Sequence, residues 1–471
     1  MRNDNGYIVI SVIVFASVFA LILGGLTGFI FVQNSSQRIK DNRERAIQIA
    51  EAGLDYYKWH LSHFPDDLYN GQGSTSTGPY EIVYEDPEVG EIGTISLDIN
   101  GEVFCGQTNS VEVVSTGWTN ERPDITRTVY GKYARPSVAE YAYVINSNVW
   151  AGADRVISGP YHSNGGIRMD GTNESLVTSA VEDWICTSSF GCSPNTTQDG
   201  VFGAGPNSAL WDFPIQQVDF AGIQVDLTGL KALAQSDGYY LGPSGDDGYR
   251  LDFQSNGTVN VYRIDDADGI WGYSTEDGWH GNYHYIDDET FIGNVTPPAD
   301  CPIVFVEDEL WIGGDINGKF TVASADLISG SNATDVLIAD DIEYVNGDGE
   351  DGLTVVAEDN LLLSFFAPNN LDVEGIYIAQ GGRFGRNHYT TSGSYDVPSS
   401  WDSYVLRSTF DLHGTIVSNG RVGTKWSCGG TYCSGYDTRT TTFDRDLSTS
   451  PPPLTPAFDT NYEYVEWREE S

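Results

Sequence analysis

The sequence predicts a mainly β protein with one long helix near its N-terminus, and three observations support this fold class. Residues 7–32 form a charge-free apolar run, and the residues after it continue with helical periodicity. Beyond residue 64 the chain changes to short runs that alternate apolar and polar residues, separated by Gly, Asn and Pro. Such runs are typical of strands joined by tight turns. We therefore expect the helix, a small antiparallel sheet and a larger β domain, in that order.

The apolar run is long enough to cross a bilayer. A membrane-spanning helix needs about 20 apolar residues, and this run has 26. A cleaved secretory signal has an apolar core of roughly 7–15 residues, so we do not expect one here. We predict a transmembrane helix over residues 7–33. Gly24 and Gly28 lie four positions apart within it, a spacing that lets two helices pack closely.

Residues 34–64 are predicted to continue the same helix with an amphipathic character. Apolar residues recur there at spacings of three and four, from Ile39 through Leu54 to Leu61, which is the helical period. No residue between Val32 and Ala52 breaks a helix. One helix over residues 7–63 would be about 85 Å long.

Residues 65–136 are predicted to form the small antiparallel sheet. The runs "GPYEIVYED", "EIGTISLDING", "VEVVSTGWT" and "ITRTVYGKYA" each alternate apolar with polar residues. Alternation of this kind gives each strand one apolar face. A helix followed by a small sheet is therefore the expected layout of residues 7–136.

Residues 137–448 are predicted to form a right-handed parallel β-helix, with a β-sandwich carrying long loops as the alternative. The segments "GPYHSNGG", "GIYIAQGG" and "GTIVSNGR" begin at Gly159, Gly375 and Gly414. They share a Gly, three residues, Ser or Ala, Asn or Gln, and a second Gly. Short strands around such a repeat fit stacked rungs that bury their apolar faces on one another.

An insertion at about 184–300 is expected to interrupt these rungs. It contains "VDLTGLKALAQSDG", which predicts a helix capped by Asp226 or Thr228. The hairpin predicted next turns at Asn256 and Gly257. Residues 449–471 are predicted to be a Pro-rich tail with a final strand-like run.

The chain is strongly acidic. It has 67 Asp and Glu against 24 Lys and Arg, a formal net charge of −43. A surface of this charge repels nucleic acids and anionic membranes. We therefore expect no nucleic-acid partner.

Six cysteines indicate an oxidising compartment. Cys186 and Cys192 bracket "TSSFG", and Cys428 and Cys433 bracket "GGTY", so a local disulfide is predicted for each pair. Metal binding or free thiols is the alternative. Cys105 and Cys301 remain as candidates for a third pair. The disulfides would make everything after the membrane helix extracytoplasmic.

The basic residues beside the membrane helix give the opposite orientation. Arg38, Lys40, Arg43 and Arg45 follow the apolar run, whereas Arg2 is the only basic residue before it. Lys and Arg accumulate on the cytoplasmic side of membrane helices. This bias alone would place the C-terminal part in the cytoplasm. The cysteines and the composition instead indicate an extracytoplasmic C-terminal part, and we give them more weight.

The N-terminal residues resemble those of a known family. The short leader ending in Gly6, the apolar helix beginning at Tyr7 and the later "RERAIQIAEAGLDYY" are together similar to the N-terminal region of PilX-type accessory type IV pilins. The resemblance implies that a prepilin peptidase removes residues 1–6 by cutting between Gly6 and Tyr7. It also implies a helix that is held in the membrane before assembly and in a filament core afterwards.

The same resemblance implies the partners and the location. The partners would be other pilins or pilus assembly proteins, together with the prepilin peptidase. The chain would cross the cytoplasmic membrane once, with its C-terminal part extracytoplasmic, and would reach the cell surface or the pilus after assembly.

Catalytic and metal-binding patterns are weak. Asp340 and Asp341 are the best paired carboxylates, but the alternation of their strand points them to opposite faces. The acidic "NGDGEDG" that begins at Asn346 lacks the turn glycine and terminal Glu of a calcium loop. We expect no enzyme activity, no cofactor and no metal.

Aromatic residues in predicted loops suggest a glycan or another surface ligand. They lie in "GIWGYSTEDGW" at Gly269, "RNHYTTSGSY" at Arg386 and "WDSYV" at Trp401. The sequence thus predicts a minor pilin-like protein with a structural, assembly or adhesion role. A membrane-anchored surface protein outside any filament and a tethered polysaccharide-active β-helix enzyme are the alternatives.

Overall fold

The computed structural model describes residues 5–73, 78–330 and 333–470. Residues 1–4 of the predicted leader lie outside the described residues. The chain divides into two compact units. Unit 1 comprises residues up to 101, 111–133 and 464 onwards, and unit 2 comprises 102–110 and 134–463.

The helices are α1 (Asn5–His63), α2 (Leu227–Ser236) and α3 (Arg445–Thr449), with 3₁₀ turns at Val138–Glu140, Ser188–Phe190, Ser208–Leu210 and Ser399–Tyr404. The strands in chain order are β1 (Tyr80–Asp86), β2 (Gly90–Phe104), β3 (Gln107–Thr119), β4 (Arg122–Ala134), β5 (Tyr143–Ile145), β6 (Val149–Ala151), β7 (Arg155–Ser158), β8 (Tyr161–Ser163), β9 (Ile167–Met169), β10 (Thr172–Asn173), β11 (Val177–Ser179), β12 (Asp183–Cys186), β13 (Thr196–Asp199), β14 (Val201–Phe202), β15 (Trp211–Asp212), β16 (Tyr239–Leu241), β17 (Gly248–Phe253), β18 (Val259–Ser274), β19 (Gly278–Val295), β20 (Ile303–Val306), β21 (Leu310–Ile316), β22 (Lys319–Ser324), β23 (Val336–Tyr344), β24 (Gly352–Ala357), β25 (Leu361–Leu363), β26 (Asn370–Ala379), β27 (Phe384–Gly385), β28 (Leu406–Ser418), β29 (Lys425–Cys428), β30 (Thr431–Thr442) and β31 (Glu463–Glu470).

Unit 1 is a helix packed on a five-stranded sheet of order β1-β2-β3-β4-β31. The buried side of α1 includes Ala46, Ala50, Leu54, Tyr57 and Leu61, which belong to the predicted amphipathic stripe. The final strand-like run of the predicted tail is β31, and it lies beside β4. The prediction of a mainly β chain with a long N-terminal helix and a small antiparallel sheet is confirmed.

The N-terminal section of α1 is not covered by any other part of the described chain. Its apolar side chains between residues 7 and 32 are exposed, and its most apolar window has a mean hydropathy of 2.7. By length and composition this helix can cross a membrane once.

Unit 2 is built from three parallel ladders, which we call ladders A, B and C. Ladder A joins β16, β20, β22, β24, β26, β28, β5, β8, β11 and β15. Ladder B joins β17, β21, β23, β25 and β27. Ladder C joins β21, β23, β26, β28, β30, β7 and β10. Long strands such as β26 contribute one part to ladder C and another part to ladder A.

The stacking order does not follow the sequence order. The first strand of unit 2, β5, pairs with β28 in ladder A, and β7 pairs with β30 in ladder C. From β5 the chain runs to one end of ladder A at β15, and it resumes at the other end with β16. We call the meeting of β5–β7 with β28–β30 the seam.

The glycines of the sequence repeat are corners between ladder C and ladder A. Gly375 and Gly414 pair with each other where β26 and β28 bend, with φ of 135° and 142°. A Cβ on Gly414 would lie 1.9 Å from the Gly375 carbonyl oxygen. Only glycine fits such a stacked corner without displacing the backbone.

The amides of the repeat stack across the seam. The Asn146 side chain donates to the Asn419 side-chain oxygen at 2.8 Å, and Asn164 donates to the Asn146 side-chain oxygen at 2.9 Å. Asn146 and Asn419 are 273 positions apart. Asn164 and Asn419, which belong to two copies of the repeat, therefore satisfy the hydrogen-bonding groups of the Asn146 side chain.

The inward side chains of the ladders form one apolar core, and ladder A is also covered on its outer face. Val322, Ile338 and Leu371 represent the three ladders in the core. On the outer face, Leu230 of α2 and Leu447 of α3 belong to a second buried cluster. Both faces of ladder A are thus buried, which is typical of parallel sheets.

Two local predictions within 184–300 are confirmed. α2 begins after Asp226, whose carboxylate accepts from the Gly229 N–H at 3.0 Å. β17 and β18 form an antiparallel hairpin around the turn at Asn256 and Gly257. Of the strands in the same range, β15 and β16 belong to ladder A and β17 belongs to ladder B, while β14 pairs with β9. The region predicted as an insertion therefore also contributes to the ladders.

Candidate binding cleft

A cleft of about 670 Å³ opens in unit 2 beside the seam. Ladders A and C continue across the seam through β28–β5 and β30–β7. Ladder B reaches Gly385 and its bridge to Gly423, whereas β6 belongs to a separate three-stranded sheet with β9 and β14. Trp150 of β6 and Gly423 both line the cleft. The cleft therefore lies on the face where a parallel ladder is interrupted.

Two disulfide loops and one hairpin tip border this cleft. The loop closed by Cys186 and Cys192 contributes Ser188 and Ser189. The β29–β30 hairpin, closed by Cys428 and Cys433, contributes residues 425–428, Gly430 and Tyr432. The tip of the β18–β19 hairpin adds Tyr273, Thr275 and Glu276. Short cross-linked segments therefore hold the rim.

All six cysteines are paired in the structure. The two local pairs are those predicted from the sequence, and the third joins Cys105 to Cys301 within unit 2. His388 lies with Cys428 and Cys433 in the one group within the described residues whose atoms could converge on a metal. Both sulfurs of that group are in the disulfide, so neither is a thiolate ligand.

The cleft has aromatic walls whose polar atoms are already bonded. Trp150 Nε1 donates to Asp170 at 2.8 Å, and Trp426 Nε1 donates to the Arg386 carbonyl at 2.8 Å. The Tyr432 hydroxyl donates to the Arg407 carbonyl at 2.7 Å. What these side chains offer a ligand is ring surface, the usual platform for stacking on an apolar face.

Three cations of the cleft are matched by carboxylates. Arg439 forms a two-pronged ion pair with Asp154 at 2.9–3.1 Å. Lys425 pairs with Asp437 at 2.7 Å, and Arg383 lies 3.4 Å from Glu276. Burial raises the pKa of Asp154, but Arg439 and Lys425 outweigh it and lower that pKa overall.

Arg421 differs from the other three cations. Its Nη2 donates to the Ser189 carbonyl at 3.0 Å, and its guanidinium lies 4.3 Å from the centre of the Phe190 ring. Across the described residues it has no carboxylate within 4.0 Å. Burial lowers the Arg421 pKa, although an arginine remains protonated in proteins.

A buried imidazole nitrogen also lines the cleft without a hydrogen bond. His388 Nδ1 is buried and has no partner among the described residues. Burial, and then the charge of Arg386, lowers the His388 pKa. Both effects disfavour the charged imidazolium.

The residues predicted from the sequence are only partly in this cleft. Tyr273 and His388, from two of the aromatic segments, line it. Trp401, from the third, packs on Tyr285 at 4.9 Å and on Phe366 at 5.1 Å between ring centres. That segment is therefore packed on its own unit.

The acidic candidates are part of turns and corners. The Asp351 carboxylate of "NGDGEDG" accepts from the N–H groups of Gly318 and Asn346 at 2.6 and 2.7 Å. Asp341 accepts from the Asp372 N–H at 2.9 Å, while Asp340 is exposed. Within the described residues, neither Asp340 nor Asp341 lines the cleft.

Gly24 and Gly28 lie on the solvent-exposed section of α1, and a Cβ on either would meet no atom within 4 Å. Gly6 and Tyr7 are within α1, close to its start at Asn5. The predictions for helix packing and for cleavage after Gly6 stay predictions.

The cationic residues of the cleft were missed by the sequence reasoning, although a signal for them exists. Residues 383–439 contain six Lys or Arg and four Asp or Glu, in a chain of net charge −43. A locally positive stretch in so acidic a chain marks a candidate anion site.

No protein family matches the chain, and no curated protein matches it. Among solved structures, the crystal structure of the competence-associated pilin ComZ from Thermus thermophilus aligns with 91% of this chain and 97% of its own. The sequence identity is 12% and the TM-score is 0.31. A TM-score this low does not establish a common fold.

Proposed function

We propose that this chain is a pilin-like protein of the PilX type that displays a large β domain outside the cell. A prepilin peptidase cuts after Gly6, and the mature chain begins at Tyr7. The helix anchors the chain in the cytoplasmic membrane before assembly and packs among other pilins afterwards. The displayed domain serves filament structure, assembly or adhesion.

The observation that carries this proposal is the contrast within α1. Residues 7–32 expose their apolar side chains, whereas Leu54 and Tyr57 are buried on the sheet of unit 1. A continuous exposed apolar surface of this length requires lipid or a protein partner. A pilin-like protein meets the requirement with lipid first and with neighbouring helices later. Open space around Gly24 and Gly28 suits close helix packing.

The three disulfides support an extracytoplasmic position for unit 2. Disulfides form and persist in oxidising compartments, and all six cysteines are paired. This outweighs the basic residues after the apolar run, whose bias predicts the reverse orientation.

We infer that ladders A, B and C are the faces of a β-helix. Neighbouring rung strands within each ladder run parallel, and β26 and β28 bend from one ladder into the next at paired glycines. A β-sandwich is built mainly from antiparallel neighbours. Parallel crossovers are right-handed in nearly all proteins, which favours the right-handed form.

We further propose that unit 2 binds a ligand and does not catalyse a reaction. Glycoside cleavage by paired acids requires two carboxyl groups free to face one bond. In the cleft, Asp154 is held by Arg439 and Glu276 lies beside Arg383. These carboxylates are matched by cations, and the aromatic walls suit binding.

The experiment that tests the pilin-like role is mass spectrometry of the N-terminal peptide from native protein, in cells with and without prepilin peptidase. We expect a chain beginning at Tyr7 only where the peptidase is present. Gly6→Val should block the cut, whereas the matched variant Gly25→Val should not. An uncut N-terminus in both strains would instead indicate a membrane-anchored surface protein outside any filament.

A further inference from the structure

We propose that the cleft of unit 2 binds an acidic saccharide, with Arg421 holding its carboxylate and the ring faces of Trp150 and Trp426 holding its sugar rings. This inference rests on the binding role proposed for unit 2 and is independent of entry into a filament.

Arg421 is the cation available for the carboxylate. A carboxylate lies beside each of Arg439, Lys425 and Arg383. Among the described residues, no carboxylate lies within 4.0 Å of Arg421. A guanidinium has five N–H donors in a planar fork that matches a carboxylate. The contacts of Arg421 with Ser189 and Phe190 already hold it in place. Binding therefore costs little additional side-chain freedom.

The walls favour a sugar ring over an extended acidic peptide. The indole N–H groups of Trp150 and Trp426 are bonded within the protein. The Arg168 guanidinium lies 4.3 Å from the centre of the Trp150 ring, so Trp150 offers a sugar the ring face opposite Arg168, and Trp426 offers the part of its ring that lines the cleft. Asp154 and Glu276 line the same cleft and can accept hydrogen bonds from sugar hydroxyls. A glutamate-rich peptide carries as many carboxylates but has no ring face to stack on the indoles.

Because the chain as a whole is acidic, attraction of an anionic ligand is confined to the cleft. At −43, the surface as a whole repels anions over the Debye length, about 10 Å at 0.1 M salt. A ligand with few carboxylates and many hydroxyls experiences less of this repulsion than a dense polyanion. The proposed ligand class is therefore a short uronic-acid oligosaccharide.

The test is isothermal titration of the full chain in detergent micelles with trigalacturonic acid. The trimethyl ester of the same trisaccharide is the uncharged control, and triglutamate is the peptide control. We expect binding of the acid, with at least about tenfold weaker binding of the ester, which loses the charge-assisted hydrogen bonds, and of the peptide, which has no ring face to stack on the indoles.

Two variants test whether Arg421 binds the carboxylate of the ligand. Arg421→Gln should weaken trigalacturonate binding about tenfold or more without changing binding of the ester, and Arg421→Lys should give an intermediate loss because it keeps the charge but not the fork. Arg122→Gln, at an exposed position paired with Asp124 in unit 1, removes the same charge and should have no effect. Circular dichroism of each variant verifies its fold.

Three outcomes would overturn the proposal. They are no binding of trigalacturonate up to about 10 mM, equal binding of the ester or of triglutamate, and wild-type affinity in a folded Arg421→Gln chain. Protein from cells lacking the prepilin peptidase should bind as well as processed protein. A failure here thus leaves the N-terminal test of the pilin-like role unaffected.

Discussion

The two sections of α1 share one continuous helix and differ in what surrounds them. In the first section, residues 7–32, apolar side chains such as Phe15 are exposed, in this case by 76%. In the second section, Leu54 and Tyr57 are 1% and 0% exposed. The second section therefore holds unit 1 together, and the first is free for lipid or another helix. Apolar side chains thus have different consequences in the two sections.

The largest expected difference between the sections comes from removing a leucine. Leu54→Ala should lower the free energy of unfolding of unit 1 by about 2–5 kcal/mol, because it leaves a cavity in a packed core. Leu21→Ala, in a residue 76% exposed, should leave it unchanged. Hydrogen exchange of the β3 amides in detergent measures both. Equal protection in the two variants would contradict the contrast.

Glycine positions sharpen the same comparison. A Cβ on Gly53 would lie 2.3 Å from Ser115 Oγ and 2.6 Å from Ile95 Cγ2, so Gly53→Ala should destabilise unit 1 by about 1–3 kcal/mol. Gly28→Ala meets nothing within 4 Å and should leave β3 exchange unchanged. Its expected effect is on recovery of the chain in sheared filaments, which should fall. Unchanged recovery would remove the helix-packing role of Gly28.

A polar contact between helix and sheet gives an expected effect of similar size. Thr119 Oγ1 donates to Asn42 Oδ1 at 2.5 Å in a buried site. Thr119→Val removes the donor and leaves the amide oxygen without it, which should cost about 1–3 kcal/mol. Thr27→Val, whose hydroxyl bonds only its own helix at Leu23, is the control and should change nothing in unit 1. Matching exchange rates for the two variants would contradict this.

The smallest expected effect is a pH dependence at the end of α1. Burial raises the pKa of Asp67, but the Tyr69 N–H, His60 and the Gly71 N–H together lower it below 3.8. A lowered folded-state pKa stabilises the fold above the unfolded pKa, and this stability is lost as pH falls through the folded pKa. Unit 1 should therefore lose stability as the pH falls below about 4, and Asp67→Asn should lose less. Equal losses, measured by hydrogen exchange corrected for intrinsic rates, would contradict this assignment.

Local signals made the helix and the small sheet predictable. Ala46, Ala50, Leu54 and Leu61 recur at helical spacing, and the buried side of α1 includes them. The cap at Asp226 was predictable for the same reason, because the residues that form it are neighbours in sequence.

Long-range order was not predictable from one sequence. The pairing of β5 with β28 joins segments more than 250 residues apart, and no local pattern specifies which strand ends a ladder. The cleft follows from that order, since ladder B stops where the seam begins. Arg421 and Trp150 are brought to one cleft only by this pairing.

The most direct test of the central claim, that the exposed section of α1 packs against other pilins, is photo-cross-linking in sheared filaments. Benzoylphenylalanine replaces Phe15 in the exposed section, and a matched chain carries it in place of Tyr57 in the buried section. We predict cross-links from position 15 to a second pilin subunit and only intrachain products from position 57. Cross-links from position 15 to lipid alone, with no chain in the filament fraction, would contradict the account.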